Sequence, residues 1–220
     1  MKKELCITKD GSPTIYVPQL DESYHSMHGS IQEANHVFIN NGLKYFKDNK
    51  QLRVLEIGFG TGLNALLAAK YAHDNQLMIQ YVGLEAYALD KALWQQISYA
   101  KTSHEKSWYF NMMSSPWEEE SAIHPYFKIL KNEIKVQQWE TQERFDVVFY
   151  DAFGPRAQPE MWQYALFEQL FGLLDDGGIL VTYCAQGEFK RNLRDIGYKV
   201  ESLPGPIGKR EMTRAIKINK

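Results

Sequence analysis

Three acidic residues, Glu56, Glu85 and Asp151, each close an apolar run in this chain: LRVLEIG, IQYVGLE and RFDVVFYD. A carboxylate at the end of a buried strand is delivered to a sheet edge. There it can accept hydrogen bonds from hydroxyls or amines and take up a proton. Glu56 is followed by Gly58, Gly60 and Gly62, an E-x-G-x-G-x-G spacing rather than the G-x-G-x-x-G of a dinucleotide loop. Such glycines let the backbone turn tightly and approach a ligand closely. Glu56 would face a cationic or amine-bearing ligand, and Glu85 is placed to hold the two hydroxyls of a ribose. Asp151 leads into a small Pro-bounded loop, Ala152 to Pro155, where Ala152 and Gly154 leave room for a ligand and Pro155 fixes its own backbone angle. A turn-forming Asp with no chemistry is the competing reading.

The elements that must position these residues alternate between strand and helix. ITKDGSPTIYVPQ reads as a hairpin turning at Asp10-Gly11. SIQE, Ser30 to Glu33, reads as a capping box opening a helix. Strands are expected at LRVLEIG, Ile79 to Glu85, RFDVVFYD, GGILVTYC, YKVESL and EMTRAIKI. Helices are expected over Leu63 to Tyr71, LDKALWQQISYA, PEMWQYALFEQLFGLL and around Phe189 to Asp195, with Pro159 in a first turn and Gly177-Gly178 past a helix end. YFKILKNEIKVQQW, Tyr126 to Trp139, reads as a hairpin turning near Lys131-Asn132-Glu133. The sum is an α/β fold of Rossmann-like type: a mostly parallel central sheet with helices on both faces. It forms a single domain over 1–220, with a small hairpin and helix extension at 1–50 and the core at 51–220. Ligands in such sheets bind outside the carboxyl ends of the strands, where all three acids fall.

The 220 residues, 44% hydrophobic, suit one globular core and argue against disorder. No apolar run is long enough to cross a bilayer, and MKKELCITKDGSP meets charge too early for a signal peptide. Cys6 and Cys184 suggest neither a disulfide framework nor a zinc site, and a cytoplasmic address is expected. His25 and His28 have no acid or Cys to complete a site, so no metal is expected. Net charge is −2, which excludes a uniformly basic nucleic-acid binder. From Gly187 onward, however, nine Lys/Arg face four acids. The strip Lys190, Arg191, Arg194, Lys209, Arg210 and Arg214 is either a solvated face or a phosphate-contacting surface.

The acid–glycine–acid order over Leu52 to Leu180 resembles the class I S-adenosylmethionine-dependent methyltransferases. DGSPTIYVPQLDESYHSMHGSIQEANHVF, LEIGFGTGLN, FYDAFGPRAQPEMW and GPIGKREMTRA together resemble a narrower group, the MnmC/MnmD family of the tRNA wobble-uridine pathway. That resemblance covers about Asp10 to Ala215. It implies N-methylation of 5-aminomethyl-2-thiouridine at the tRNA wobble position, with tRNA as partner. Asp151 matches the catalytic aspartate, and Glu56, Gly58, Phe59, Gly60, Thr61, Gly62, Asn64 and Glu85 the S-adenosylmethionine site. Tyr24, His25, Phe153, Gly154, Pro155, Lys209 and Arg210 are candidate substrate contacts. Trp139, Glu140 and Trp117 are candidates for the adenine, with ordinary packing or surface as the stronger reading of each. Some members carry a flavin-dependent oxidase; none is seen in these residues, so no flavin is expected and a separate FAD-dependent oxidase is a possible upstream partner. The alternatives are a spermidine synthase-like aminopropyltransferase, whose glycine loop normally has consecutive glycines, and a non-enzymatic tRNA- or protein-binding module.

Overall fold

The computed structural model describes residues 2–218. At the N-terminus β1 (Glu4–Ile7), β2 (Pro13–Val17) and β3 (Glu22–Ser23) form a small antiparallel sheet. The β1–β2 turn falls at Asp10-Gly11, where Gly11 takes φ 79°. The helix that follows, α1 (Ser30–Ala34), widens into a π-type stretch over Asn35–Asn40. The expected capping box does not form. Ser30 already lies inside the helix and donates to the Pro13 carbonyl. Glu33 instead accepts from the Ser26 amide and pairs with Lys209, because tertiary partners offer both side chains better bonds than the helix end does.

The core is an eight-stranded sheet. Along the chain come β4 (Gln51–Ile57), α2 (Leu63–Asn75), β5 (Met78–Glu85), α3 (Lys91–Trp94), α4 (Ser103–Ser114), β6 (Ser121–His124), β7 (Phe127–Glu133) and β8 (Phe145–Tyr150). Then follow α5 (Tyr164–Leu173), β9 (Leu174–Thr182), α6 (Gly187–Ile196), β10 (Tyr198–Pro204) and β11 (Glu211–Lys217). The spatial order is β10-β11-β9-β8-β4-β5-β7-β6. The inner five strands are parallel, and β6, β10 and β11 add antiparallel edges. After β4 the chain builds β5 and β7 to one side, then returns to build β8 and β9 on the other. The gap between β4 and β8 is therefore the switch point, where the flanking loops part and leave a crevice.

Side-chain alternation sorts the core into two faces. Leu52 and Val54 pack with Val147, Phe149 and α2, while Leu55 and Ile57 pack with Val148, Tyr150 and α5. Three elements depart from expectation. The Tyr126–Trp139 hairpin is absent: Phe127–Glu133 runs as one strand parallel to β5, and its antiparallel partner is the earlier Ser121–His124. In LDKALWQQISYA only Lys91–Trp94 is helical; the longer helix there is α4, capped by a Thr102/Glu105 box. Pro159–Trp162 is a separate 3-10 turn before α5, and Gly177-Gly178 lie within β9. No described helix is long and apolar enough to cross a membrane.

Candidate active site

Ile57 of β4 pairs with Tyr150 of β8, and the Asp151 amide continues the ladder to the Ile57 carbonyl at 2.9 Å. Glu56 pairs with Phe149, so alternation puts Glu56 and Asp151 on one face of the sheet. That face carries α2, whose second residue, Asn64, lies between the two acids. Its Nδ2 donates to Glu56 Oε1 and to Asp151 Oδ2, each at 2.8 Å. Tyr81, from β5, donates to Glu56 Oε2 at 2.8 Å. Glu56 is buried and does not reach the cavity wall. It stands behind Asn64 rather than facing a ligand directly. Burial pushes its carboxyl well above the usual range despite the two donors. Burial likewise pushes the Asp151 carboxyl up to about 7, opposed by the Asn64 hydrogen bond, raised further by Glu33 and lowered by Lys209.

The glycines make this crowding possible. Gly58 has φ 89°, and a Cβ there would stand 2.6 Å from the Asp151 carbonyl oxygen. Gly62, at φ 74°, starts α2. The Gly60 amide donates to Glu85 Oε2 and the Tyr87 amide to Oε1, both at 2.9 Å. Glu85 thus links the glycine loop to the turn after β5. Phe59 fits against Gly83, which sequence analysis missed: a Cβ at Gly83 would lie 2.7 Å from the ring.

Around these groups opens a cavity of about 370 Å³. The glycine loop, Asn64, Glu85, Asp151 and Phe153 line it, as do Tyr24 and His25 from the N-terminal segment. Tyr24 meets Phe153 edge-to-face with centroids 5.2 Å apart. His25 spans the Thr14 and Thr61 hydroxyls at 3.2 and 3.4 Å, and burial pushes it down to about 4, so it is neutral at pH 7. Tyr87 and the segment Ile134 to Gln138 complete the wall beyond Glu85. The three adenine candidates do not. Trp117 packs on Phe59 and Trp139 on Phe145, and Glu140 is likewise absent from the lining. Because Phe127–Glu133 runs as a strand parallel to β5 and not as a hairpin arm, the segment that follows it reaches the cavity.

The remaining candidates fall elsewhere. Gly154 is not needed to clear space, since an added Cβ would meet only the Tyr183 hydroxyl at 3.8 Å. Pro155, Lys209 and Arg210 line a second recess. The basic strip divides: Lys190 is bound to Glu211 and Ser202, Lys209 to Glu33, and Arg214 to Glu201. Arg191, Arg194 and Arg210 have no carboxylate partner among the described residues. Among those residues no group of three or more His, Cys, Asp or Glu is arranged to hold a metal ion.

A switch-point cavity with a glycine loop, a ribose-competent carboxylate and a buried base suits a nucleoside cofactor and an amine. A family model described as S-adenosyl-L-methionine-dependent methyltransferase matches residues 106–218, just over half of the chain. The chain belongs to this methyltransferase family. Membership decides for methyl transfer over the aminopropyl transfer that a strand-end Asp also suits. The methyltransferase is 31% identical over 231 residues to the tRNA 5-methylaminomethyl-2-thiouridine biosynthesis bifunctional protein MnmC of Pseudoalteromonas atlantica, with 94% of this chain and 32% of that protein covered. It is 27% identical to the protein of the same name from Hydrogenovibrio crunogenus, covering 96% of this chain and 33% of that one. The chain therefore spans about a third of the length of these relatives. The crystal structure of MNMC2 from Aquifex aeolicus superposes with a TM-score of 0.80 at 27% identity, covering 97% of this chain and 70% of the other.

Proposed function

We propose that this methyltransferase N-methylates the aminomethyl group of 5-aminomethyl-2-thiouridine at the tRNA wobble position, giving 5-methylaminomethyl-2-thiouridine. The observation that carries the reading is Asp151: a carboxylate held at about 7 in the same cavity as the glycine loop. The alignment with relatives named for that biosynthesis supports the choice of amine and of RNA.

The cavity fits S-adenosylmethionine. Gly58 and Gly60 line the cradle while Gly62 packs against Met113 and Phe59 behind it, Glu85 presents a carboxylate to ribose hydroxyls, and Tyr87 with Ile134 to Gln138 offers a wall for the adenine. Asn64 Oδ1 is buried with no protein partner, an acceptor suited to the cofactor's amino group. When bound, the cofactor supplies a methyl group on an electrophilic sulfonium. Asp151 then has two tasks. With Oδ2 held by Asn64, Oδ1 accepts an N–H of the incoming amine and aims its lone pair. A carboxyl near 7 is ionised in a large fraction of molecules at neutral pH and basic enough to take the proton lost on methylation. Tyr24 and Phe153 flank the approach and suit a planar base. An FAD-dependent oxidase acting upstream would supply the amine by removing a carboxymethyl group.

Purified protein incubated with S-adenosylmethionine and tRNA bearing the aminomethyl nucleoside tests the proposal by nucleoside mass spectrometry. The wobble nucleoside is expected to gain one methyl group, and tRNA lacking the aminomethyl group none. Methylation of another nucleoside instead would sink it.

A further inference from the structure

Of the seven arginines, Arg53, Arg156 and Arg214 reach a carboxylate within 4.0 Å. Arg144 is bound to the Gly172 carbonyl, and Arg194 to the carbonyl of Lys190 on its own helix. Arg191 and Arg210 have neither an ion pair nor a side-chain hydrogen bond among the described residues. Both are exposed; Arg210 lines a recess, and Arg191 lies beside Gly187, the residue that follows Gln186 of its wall. That recess, about 500 Å³, is lined by Pro155, Tyr183, Cys184, Gln186 and Arg210, with Lys209 and Glu211 at its side. Arg191 folds back over the start of α6 next to Gln186: a Cβ on Gly187 would lie 3.3 Å from its guanidinium.

The wall between this recess and the active-site cavity is thin. Tyr183 lines the recess while its hydroxyl donates to the Ala152 carbonyl at 2.7 Å, one residue from Asp151. Lys209 Nζ sits 3.8 Å from the Tyr183 ring centroid, and its charge acts on Asp151. A polymer whose reacting unit enters the cavity and whose chain leaves past Ala152 and Tyr183 lays its next unit on the recess. Two free guanidinium groups, Arg210 in the lining of an aromatic and apolar floor and Arg191 beside it, match a phosphodiester carrying a stackable base.

We infer that this recess holds the nucleotide adjoining the one that is methylated, with Arg191 and Arg210 on its flanking phosphates. The inference rests on the RNA reading above and gives that substrate a direction across the protein. It also separates these two arginines from Lys190, Lys209 and Arg214, whose charges are spent within the fold.

The test measures KM for aminomethylated tRNA between 50 and 200 mM salt in wild type, Arg191→Glu/Arg210→Glu and Arg191→Lys/Arg210→Lys. Calorimetry with S-adenosylmethionine and thermal melting confirm that each variant is folded. The Glu pair is expected to raise KM at least about tenfold at low salt. It should also flatten log KM against log salt by about 1–2, as two lost contacts to single-stranded phosphates require, while the Lys pair keeps most of the slope. If wild type methylates the RNA and the Glu pair changes neither KM nor slope, the recess is not its path and the RNA reading stands. If wild type does not methylate the RNA at all, both fall.

Discussion

The glycine-loop edge and the charged C-terminal third use ionisable residues in opposite ways. At the edge there are few, and they are enclosed: Glu56, Asn64 and Asp151 share one amide, and burial sets the state of both acids. From α6 to β11 charge is abundant, yet much of it is consumed by Lys190–Glu211, Arg214–Glu201 and Lys209–Glu33. A count of charges therefore predicts little about which are free to meet a partner. A spacing of glycines and acids around a strand end predicts much more, because it constrains the backbone itself.

Five measurements would break or sharpen this contrast. The largest effect is expected from Asp151→Asn, which keeps shape and the Asn64 contact but loses basicity. Single-turnover methylation of aminomethylated tRNA should slow about 10²–10⁴-fold with cofactor affinity little changed. A near-wild-type rate would reduce Asp151 to a turn residue. The same variant should gain stability at pH 8. Its carboxyl sits at about 7 in the fold against an ordinary 3.8, so it favours folding fully below about pH 4 and loses that contribution as pH rises through 7. Removing it should raise the unfolding free energy at pH 8 by about 1–4 kcal/mol, and leave pH 4 nearly unchanged.

Next comes Glu85→Ala, which would leave ribose hydroxyls and the Gly60 amide without their acceptor. Calorimetry should show a loss of roughly 1.5–3 kcal/mol in S-adenosylmethionine affinity. Unchanged affinity would remove Glu85 from the site. Lys190→Met against Arg191→Met then contrasts a spent charge with a free one. The first strands Glu211 and Ser202 and should cost about 1–2 kcal/mol in urea unfolding; the second should stay within about 0.5 kcal/mol. Equal costs would erase the distinction. The smallest effect is in the pH profile. In wild type the single-turnover rate should rise through an acid limb near pH 7. Asn64→Ala removes a hydrogen bond that lowers Asp151, so the limb should move to higher pH. An unmoved limb would mean that Asn64 does not tune the base.

Much of this molecule was legible beforehand. Val147 to Tyr150 announces a buried strand by its uninterrupted apolar run, and Gly58, Gly60 and Gly62 mark a turn that only positive φ can make. Both signals are local, set by side-chain period and backbone sterics, so they survive without knowledge of neighbours. What failed depended on distant partners. Ser30 and Glu33 have the spacing of a cap but bond to Pro13, Ser26 and Lys209. Phe127–Glu133 has the composition of either a hairpin arm or a parallel strand, and only the open edge of β5 decides. The sequence alone determined that three carboxylates end strands beside a glycine turn. The tertiary structure decided that Glu56 backs Asn64, that Asp151 titrates near neutrality, and which cations remain free. Those outcomes depend on burial and on through-space pairing, and both arise only when remote segments pack together.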